Sequence, residues 1–529
     1  MIERIFENWL TKASERSFQL AYVQLLIAEG HEIVHISTHG AGEHGKDIIS
    51  KDGDGKYHAF QLKATDAKDL TKAEWRKMRD EVYEVSEVPI EHPSIPAGSD
   101  HVAWFVINSG LTPDVFSEIE MRNRDAVQKG KRTLGTDLKG QISARLLREF
   151  KSLLPEEPKD FHQFLGLYLA NGKGPLDKEK FAHLIASALP EEGEISKKDQ
   201  PRKVAGATLL ALYALNSYFQ EKNWVSVIDG LVITIATILR WSAKRNLPDD
   251  AWKAGVNILM DVIETMFVDL QTEVLAREEV LTEGNVMVDQ PYYAYRVTKL
   301  FGYLAGWEVF RFLRSAIPCE GVGVAHILTM KHSRPFLWGE AVIPQLACLG
   351  WLHECKFGQS HEFVHLLEAV VRKSKTETTE GILPSPYYSE TQVLDVVLGF
   401  AAPFGESFVG RSFSMRSLID AVVRRNQRAA LDKPWKDITH IYCVEFKPKY
   451  AYDYLSWHIE ESGQEDARFF ANPQSWAELV RQEDRSSEAP DILSKVPHFL
   501  PLFLLVYPHR FCPPIVALAD KAILKAISS

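Results

Sequence analysis

Residues 40–64 read GAGEHGKDIISKDGDGKYHAFQLKA, and their interpretation decides the fold. Two β-type runs, KDIIS (46–50) and YHAFQLKA (57–64), flank a DGDG turn, a pattern that predicts a hairpin. Gln61 and Lys63 are two apart on the second strand, so both side chains emerge on one face. Hairpin pairing brings the run bearing Asp47 alongside them. A carboxylate, an amide oxygen and an ammonium gathered in this way suit phosphodiester hydrolysis with a divalent ion. Asp47 and Gln61 would hold Mg²⁺ or Mn²⁺, with the Leu62 carbonyl as a further ligand. Lys63 would orient the attacking water or offset charge in the transition state.

Working outward, residues 14–29 (SERSFQLAYVQLLIAE) set Phe18, Tyr22, Leu25 and Leu26 on one helical face, and Gly30 follows as the stop. HEIVHIS (31–37) alternates as a strand, which puts His31 and His35 on one face in structural roles. After the hairpin come a charged helix near 68–87, a strand at HVAWFVINS (101–109) and a helix beginning after Thr112–Pro113. The order helix, three strands, helix, strand, helix predicts one α/β domain over 1–152, a mixed sheet flanked by helices.

Beyond about residue 155 the texture changes to long amphipathic segments: 203–220, 224–246, 250–278, 293–315, 360–373 and 414–430. Breaks rich in proline or charge separate them, at 153–160, 190–202 and 373–388. We therefore expect a helical domain over 160–372 and a mainly helical C-terminal domain over 389–529, with THIYCVEF (439–446) as a short strand element. No fixed repeat period emerges.

The chain's 529 residues exceed one hydrophobic core, and 45% hydrophobic with 25% charged residues is an ordinary globular composition. A net charge of −10 excludes a generally basic coat but not a local basic stripe. That stripe is residues 121–148, with Arg122, Arg124, Lys129, Lys131, Arg132, Lys139, Arg145 and Arg148 against two acids. Such a local excess suits phosphate neutralisation, and the first six are the candidate DNA contacts. Lys68 and Lys72 are weaker candidates for the same task. The alternative is a solvated loop and helix face.

Five scattered cysteines (Cys319, Cys348, Cys355, Cys443, Cys512) and no CxxC pair point to a reducing compartment. Cys348, His353 and Cys355 lack a fourth ligand at zinc spacing and are expected as helix residues. No signal peptide is evident at the N-terminus, and the runs at 230–239 and 499–507 are short for a bilayer. A cytoplasmic protein without membrane contact is the expectation.

The motif residues resemble the PD-(D/E)xK nuclease superfamily, in particular its Mrr-like restriction branch with QxK. That pattern is a helix, a glycine-rich loop before an aspartate, and a strand ending in the triplet. Here it takes the form GAGEHGKD, thirteen intervening residues, then QLK. WFVINSGLTPDVFSEIE (104–120) is similar to the strand and helix that follow in such nucleases. The resemblance covers roughly the first 150 residues and implies a restriction-endonuclease-like fold. Where many members carry a glutamate in the first helix, this chain has Gln19, with Glu15 one turn earlier; either would support the site.

The implied activity is a metal-dependent DNA endonuclease, the effector of a prokaryotic (anti-phage) defence system restrained by its helical region. A separate sensor or ATPase subunit and a homo-oligomer are the implied partners. A catalytically inactive scaffold that binds nucleic acid or protein, and an RNase, stay open as alternatives.

Three neighbours of the motif are read separately. GAGEHGKD fits most of a P-loop, but Asp47 stands where the hydroxyl residue belongs and a β-type run follows instead of a helix, so ATP binding is not expected. His44 is a candidate to approach Asp47. Lys46 is expected to point away from Asp47 into solvent.

Overall fold

The computed structural model describes the chain except residues 1–6, 8, 14, 38–45, 97, 151–157, 278–290, 331–334, 359, 375–383, 389–391, 394, 396–409, 458–462, 472–473 and 529. The loop 38–45, with His44, lies outside the described residues.

The chain divides into two compact units, Met1–Ser242 with Leu247–Thr265, and Ala243–Asn246 with Met266–Ser529. The first contains the sheet. Helix α1 (Glu15–Ala28) leads into β1 (Glu32–Ile36), β2 (Ile48–Lys51) and β3 (Tyr57–Lys63). A two-residue strand β4 (Asp69–Leu70), helix α2 (Lys72–Glu87), β5 (His101–Ile107), β6 (Gly110–Leu111), α3 (Pro113–Gln128), β7 (Leu134–Leu138) and α4 (Lys139–Phe150) follow. The main sheet is mixed, in the order β1-β2-β3-β5-β7. The first three strands meander antiparallel, and β5 and β7 join parallel to β3.

Local chemistry explains the boundaries. Gly30 adopts φ 93°, the left-handed conformation that ends a helix without a Cβ clash. Thr71 and Glu74 form a reciprocal capping box at the start of α2. Pro113 opens α3, where its missing N–H costs nothing.

Register sorts the side chains by face. Ile49, Ala59, Ala103 and Phe105 pack with Trp75 and Val82 of α2 and Val115 of α3. On the opposite face Phe60 meets Tyr22 of α1, ring centroids 5.5 Å apart. The expected single alternation of β1 fails: register slips between Ile33 and His35, so two β1 residues oppose one of β2. His31 consequently meets Ser50 and His58, whereas His35 meets His92.

Strand β7 was not anticipated. It lies inside the stretch expected as a basic surface loop, and it buries Leu134 and Asp137. Only five residues long, it has a glycine and an aspartate in its middle and little apolar alternation to betray it.

The expected break near residue 152–160 does not divide the molecule. Helix α5 (Asp199–Ala214) packs on α1 in the same unit, with Trp9 edge-on to Tyr213 at 4.7 Å. Arg202 donates to the Ala28 carbonyl, closing the C-terminal end of α1, and pairs with Glu149. The long apolar helix Trp224–Lys244 is mostly buried; among the described residues it alone is long and apolar enough to cross a membrane.

The expected separation between 160–372 and 389–529 also disappears. In the second unit Ile343–Phe357 and Glu362–Ser374 pack with Met415–Arg424 and Pro513–Ser528. A buried ion cluster joins them. Arg425 holds Glu354 and Asp520, Arg424 holds Asp520 and Glu483, and Trp351 donates to Asp520 at 2.6 Å. The anticipated strand at 439–446 runs Tyr442–Pro448, in a three-stranded sheet with Arg411–Ser412 and Gly463–Arg468.

Candidate active site

Ile48 pairs with Phe60, so Asp47, one residue earlier, falls opposite Gln61. Its amide donates to the Phe60 carbonyl at 2.8 Å, and its own carbonyl accepts from Ser37 N–H at 2.7 Å. Gln61 donates from Nε2 to Asp47 Oδ2 at 2.9 Å, and Leu62 N–H donates to the same oxygen at 2.6 Å. Asp47 Oδ1 accepts no hydrogen bond among the described residues. The hairpin therefore assembles the three expected site residues, although Leu62 enters through its N–H.

The face carrying Gln61 and Lys63 looks onto α2, and there the structure adds a carboxylate that sequence reasoning missed. Glu81 Oε1 accepts from Lys63 Nζ at 2.7 Å and from Gln61 Nε2 at 3.2 Å. Glu81 lies in a helix crowded with acids and bases, and no spacing rule ties it to the QLK strand. One signal was available: Glu81 stands one turn before Val85, which packs into the core that covers the sheet.

The α1 candidates take different roles. Gln19, buried, donates from Nε2 to the backbone carbonyls of Asp47 at 3.1 Å and Ser37 at 3.4 Å. It positions the Asp47 backbone. Glu15 acts through space, its charge disfavouring ionisation of Asp47 and favouring the protonated Lys63.

Electrostatics follow from burial. Asp47 is pushed up to about 7 by desolvation, which the Leu62 N–H and the Lys63 charge only partly offset. Burial would depress Lys63, but its hydrogen bond to Glu81 and the charges of Glu15, Glu81 and Asp47 outweigh that and hold its ammonium above the ordinary lysine value. Lys63 thus stays cationic at neutral pH, which suits charge neutralisation rather than proton abstraction.

The donor set suits a hard divalent ion. Two carboxylates face one amide, and Gln61 Oε1 is buried without a hydrogen-bond partner. Its NH₂ group sits between Asp47 and Glu81, where a cation would sit. Rotating the amide would aim the orphaned oxygen at that point. Among the described residues no group of three or more His, Cys, Asp or Glu is placed to hold a metal, so Gln61 is needed to complete the set.

Other expectations change. Lys46 is buried, not solvated, and desolvation pushes it down to about 8. It precedes the paired segment, so strand alternation does not govern it.

The basic stretch divides by its place along the sheet. Lys63, Ile107 and Leu138 are register partners, which sets Lys139 at the site end; its Nζ donates to Thr11 Oγ1 at 2.6 Å. Leu134 instead pairs with Ala103 near the start of β5, so Lys129, Lys131 and Arg132 occupy the other end of the sheet. Ala103 and Ile107 are four positions apart, a strand rise of roughly 13 Å. Arg132 pairs with Asp100 and Lys129 with Asp125. Arg122 lies 3.8 Å over the Tyr83 ring and pairs with Glu87, beside a cleft of about 670 Å³ between α2 and α3 that includes none of Asp47, Gln61 or Lys63. Arg145 and Arg148 are bound to Glu29, and Arg145 also to Asp137. Arg124 and Lys131 are exposed, with no ion pair among the described residues.

No family model, curated protein or solved structure matches this chain.

Proposed function

We propose that the first unit is a metal-dependent DNA endonuclease of the PD-(D/E)xK kind. The observation that carries this reading is the convergence of Asp47, Gln61, Lys63 and Glu81 on one face at the end of a hairpin. Asp47, Gln61 Oε1 and Glu81 would hold Mg²⁺ or Mn²⁺, with the Leu62 carbonyl as an additional donor. When bound, the ion lowers the pKa of a coordinated water and offsets charge on the phosphate. Lys63, kept protonated, places positive charge beside the reacting phosphate. Gln19 maintains the Asp47 backbone, and Glu81 with Glu15 keeps Lys63 cationic. The resemblance to Mrr-like nucleases supports a defence role, with the helical remainder restraining or assembling the enzyme.

The test is cleavage of supercoiled plasmid with Mg²⁺ or Mn²⁺, wild type beside Asp47→Ala, Lys63→Ala and Glu81→Ala. Nicking or linearisation by wild type alone supports the reading. Equal activity in all four proteins would place the chemistry elsewhere. Cleavage of single-stranded RNA but not plasmid would change the substrate class. Inactivity of all four on both substrates, with Mg²⁺ binding absent by calorimetry, would leave the fold as a non-catalytic scaffold.

A further inference from the structure

In the second unit, two cysteines far apart in sequence come together. Cys319 lies in the segment after helix Pro291–Ser315, and Cys355 lies in the last turn of helix Ile343–Phe357. Cys319 lies near enough to Cys355 to oppose ionisation of its thiol.

Independent contacts pin the same two segments side by side. Lys356 Nζ donates to the Glu320 carbonyl at 2.7 Å, and a Cβ built on Gly321 would meet Leu352 at 3.6 Å. Glu308 also holds the segment, its carboxylate accepting from Glu320 N–H at 3.1 Å and its backbone carbonyl from the Cys319 thiol at 3.5 Å. Both residues next to Cys319 and Cys355 in sequence, Glu320 and Lys356, are therefore bonded across the junction.

We propose that Cys319 and Cys355 form a reversible disulfide, a redox modification site in the helical unit that is independent of the nuclease reading. Cys355 is the partly exposed member and Cys319 the buried one, so a peroxide reaches Cys355 first. The Cys355 sulfur attacks one peroxide oxygen, breaking the O–O bond and giving a sulfenic acid and water. The Cys319 sulfur then attacks the sulfenic sulfur; the S–S bond forms and a second water leaves with both thiol protons accounted for. Two thiols supply the two electrons that reduce the peroxide.

The neighbouring Cys319 thiol, with burial, opposes ionisation of Cys355, so its reaction is slow at neutral pH and faster in alkali. The crosslink would tie the 316–321 segment to the helix whose Glu354 anchors the buried Arg425–Asp520 cluster.

The full-length folded protein is treated with hydrogen peroxide, alkylated, and mapped by mass spectrometry under non-reducing conditions. The expected product is a peptide pair linked through Cys319 and Cys355 and released by dithiothreitol. It is absent in Cys319→Ser and Cys355→Ser and retained in Cys348→Ser. The oxidised protein should also melt higher than the reduced one by roughly 5–10 °C. Alkylation of both residues after peroxide, with no linked peptide, overturns the proposal. So does a linked peptide that appears only once the protein is unfolded. Should either serine variant fail to fold, mapping of the wild type alone still decides between these outcomes.

Discussion

At the residue scale the site depends on how burial alters Asp47. Its carboxyl titrates near 7 in the folded chain against 3.8 for the free group, so between those values the folded form holds a proton that the unfolded form releases. Stability therefore falls as pH rises through roughly 4 to 7, the reverse of a salt-bridged aspartate. In chelator at pH 8, Asp47→Asn should melt several degrees above wild type, and the gap should close toward pH 4. A thermal melt series in EDTA checks this, and a gap that widens toward low pH would contradict it. Adding Mg²⁺ at pH 8 should stabilise wild type and leave Asp47→Asn unchanged. Gln19→Ala removes a donor to the Asp47 and Ser37 carbonyls, so under the proposed function Mg²⁺-dependent cleavage should drop roughly 10–100-fold and recover in part at higher Mg²⁺. A variant as dead as Asp47→Ala at every Mg²⁺ concentration would instead make Gln19 part of the reacting set.

At the scale of elements, α1 controls both the site and the boundary of the first unit. Eleven of its fourteen residues are buried, so it is covered on all sides rather than along one stripe. The sheet covers one face and α5 another. A fragment ending at residue 152 would bare the surface that α5 covers, leave the Ala28 carbonyl without Arg202, and expose apolar side chains of α1. We expect residues 1–152 to aggregate or unfold and residues 1–265 to give a cooperative melt, tested by circular dichroism and size-exclusion chromatography. A soluble, cooperatively folded 1–152 fragment would refute the requirement for α5. The β7 register carries another consequence at this scale. Lys129 and Arg132 lie at the end of the sheet away from Lys63 and hold acidic partners, so Lys129→Ala with Arg132→Ala should alter DNA affinity less than Lys139→Ala. Filter binding over a salt series measures the difference.

For the whole molecule, stability of the second unit is concentrated where helices from distant parts of the chain meet. Asp520 is fully buried and receives Arg424, Arg425 and the Trp351 N–H. Although burial opposes its charge, the two guanidinium groups hold its carboxyl well below the usual range. Its contribution is therefore complete above the ordinary aspartate pKa and is lost only in strong acid. Asp520→Ala leaves two buried cations short of an anion, and about 3–5 kcal/mol of stability should be lost. Urea unfolding at neutral pH measures it; a change below 1 kcal/mol would mean that water or another acid replaces Asp520.

What the sequence determined by itself was local. DGDG between two β-type runs sets the hairpin, which pairs Lys51 with Tyr57 and Ile48 with Phe60, so Asp47, Gln61 and Lys63 were legible as neighbours. Gly30 and Pro113 marked helix ends because capping depends on residues a few positions apart. The tertiary structure alone decided what depends on contacts between remote segments. Glu81 joins the site only because α2 crosses the face of β3. Lys46 is buried although its neighbours in sequence are polar. Strand β7 exists because β5 offers an open edge and Leu134 a buried place, not because its own five residues favour a strand. The placement of the Cys319 segment beside Cys355 likewise arises from packing between segments 36 positions apart. Periodicity reports which face of an element is apolar, whereas the partner that covers that face is chosen by the fold as a whole.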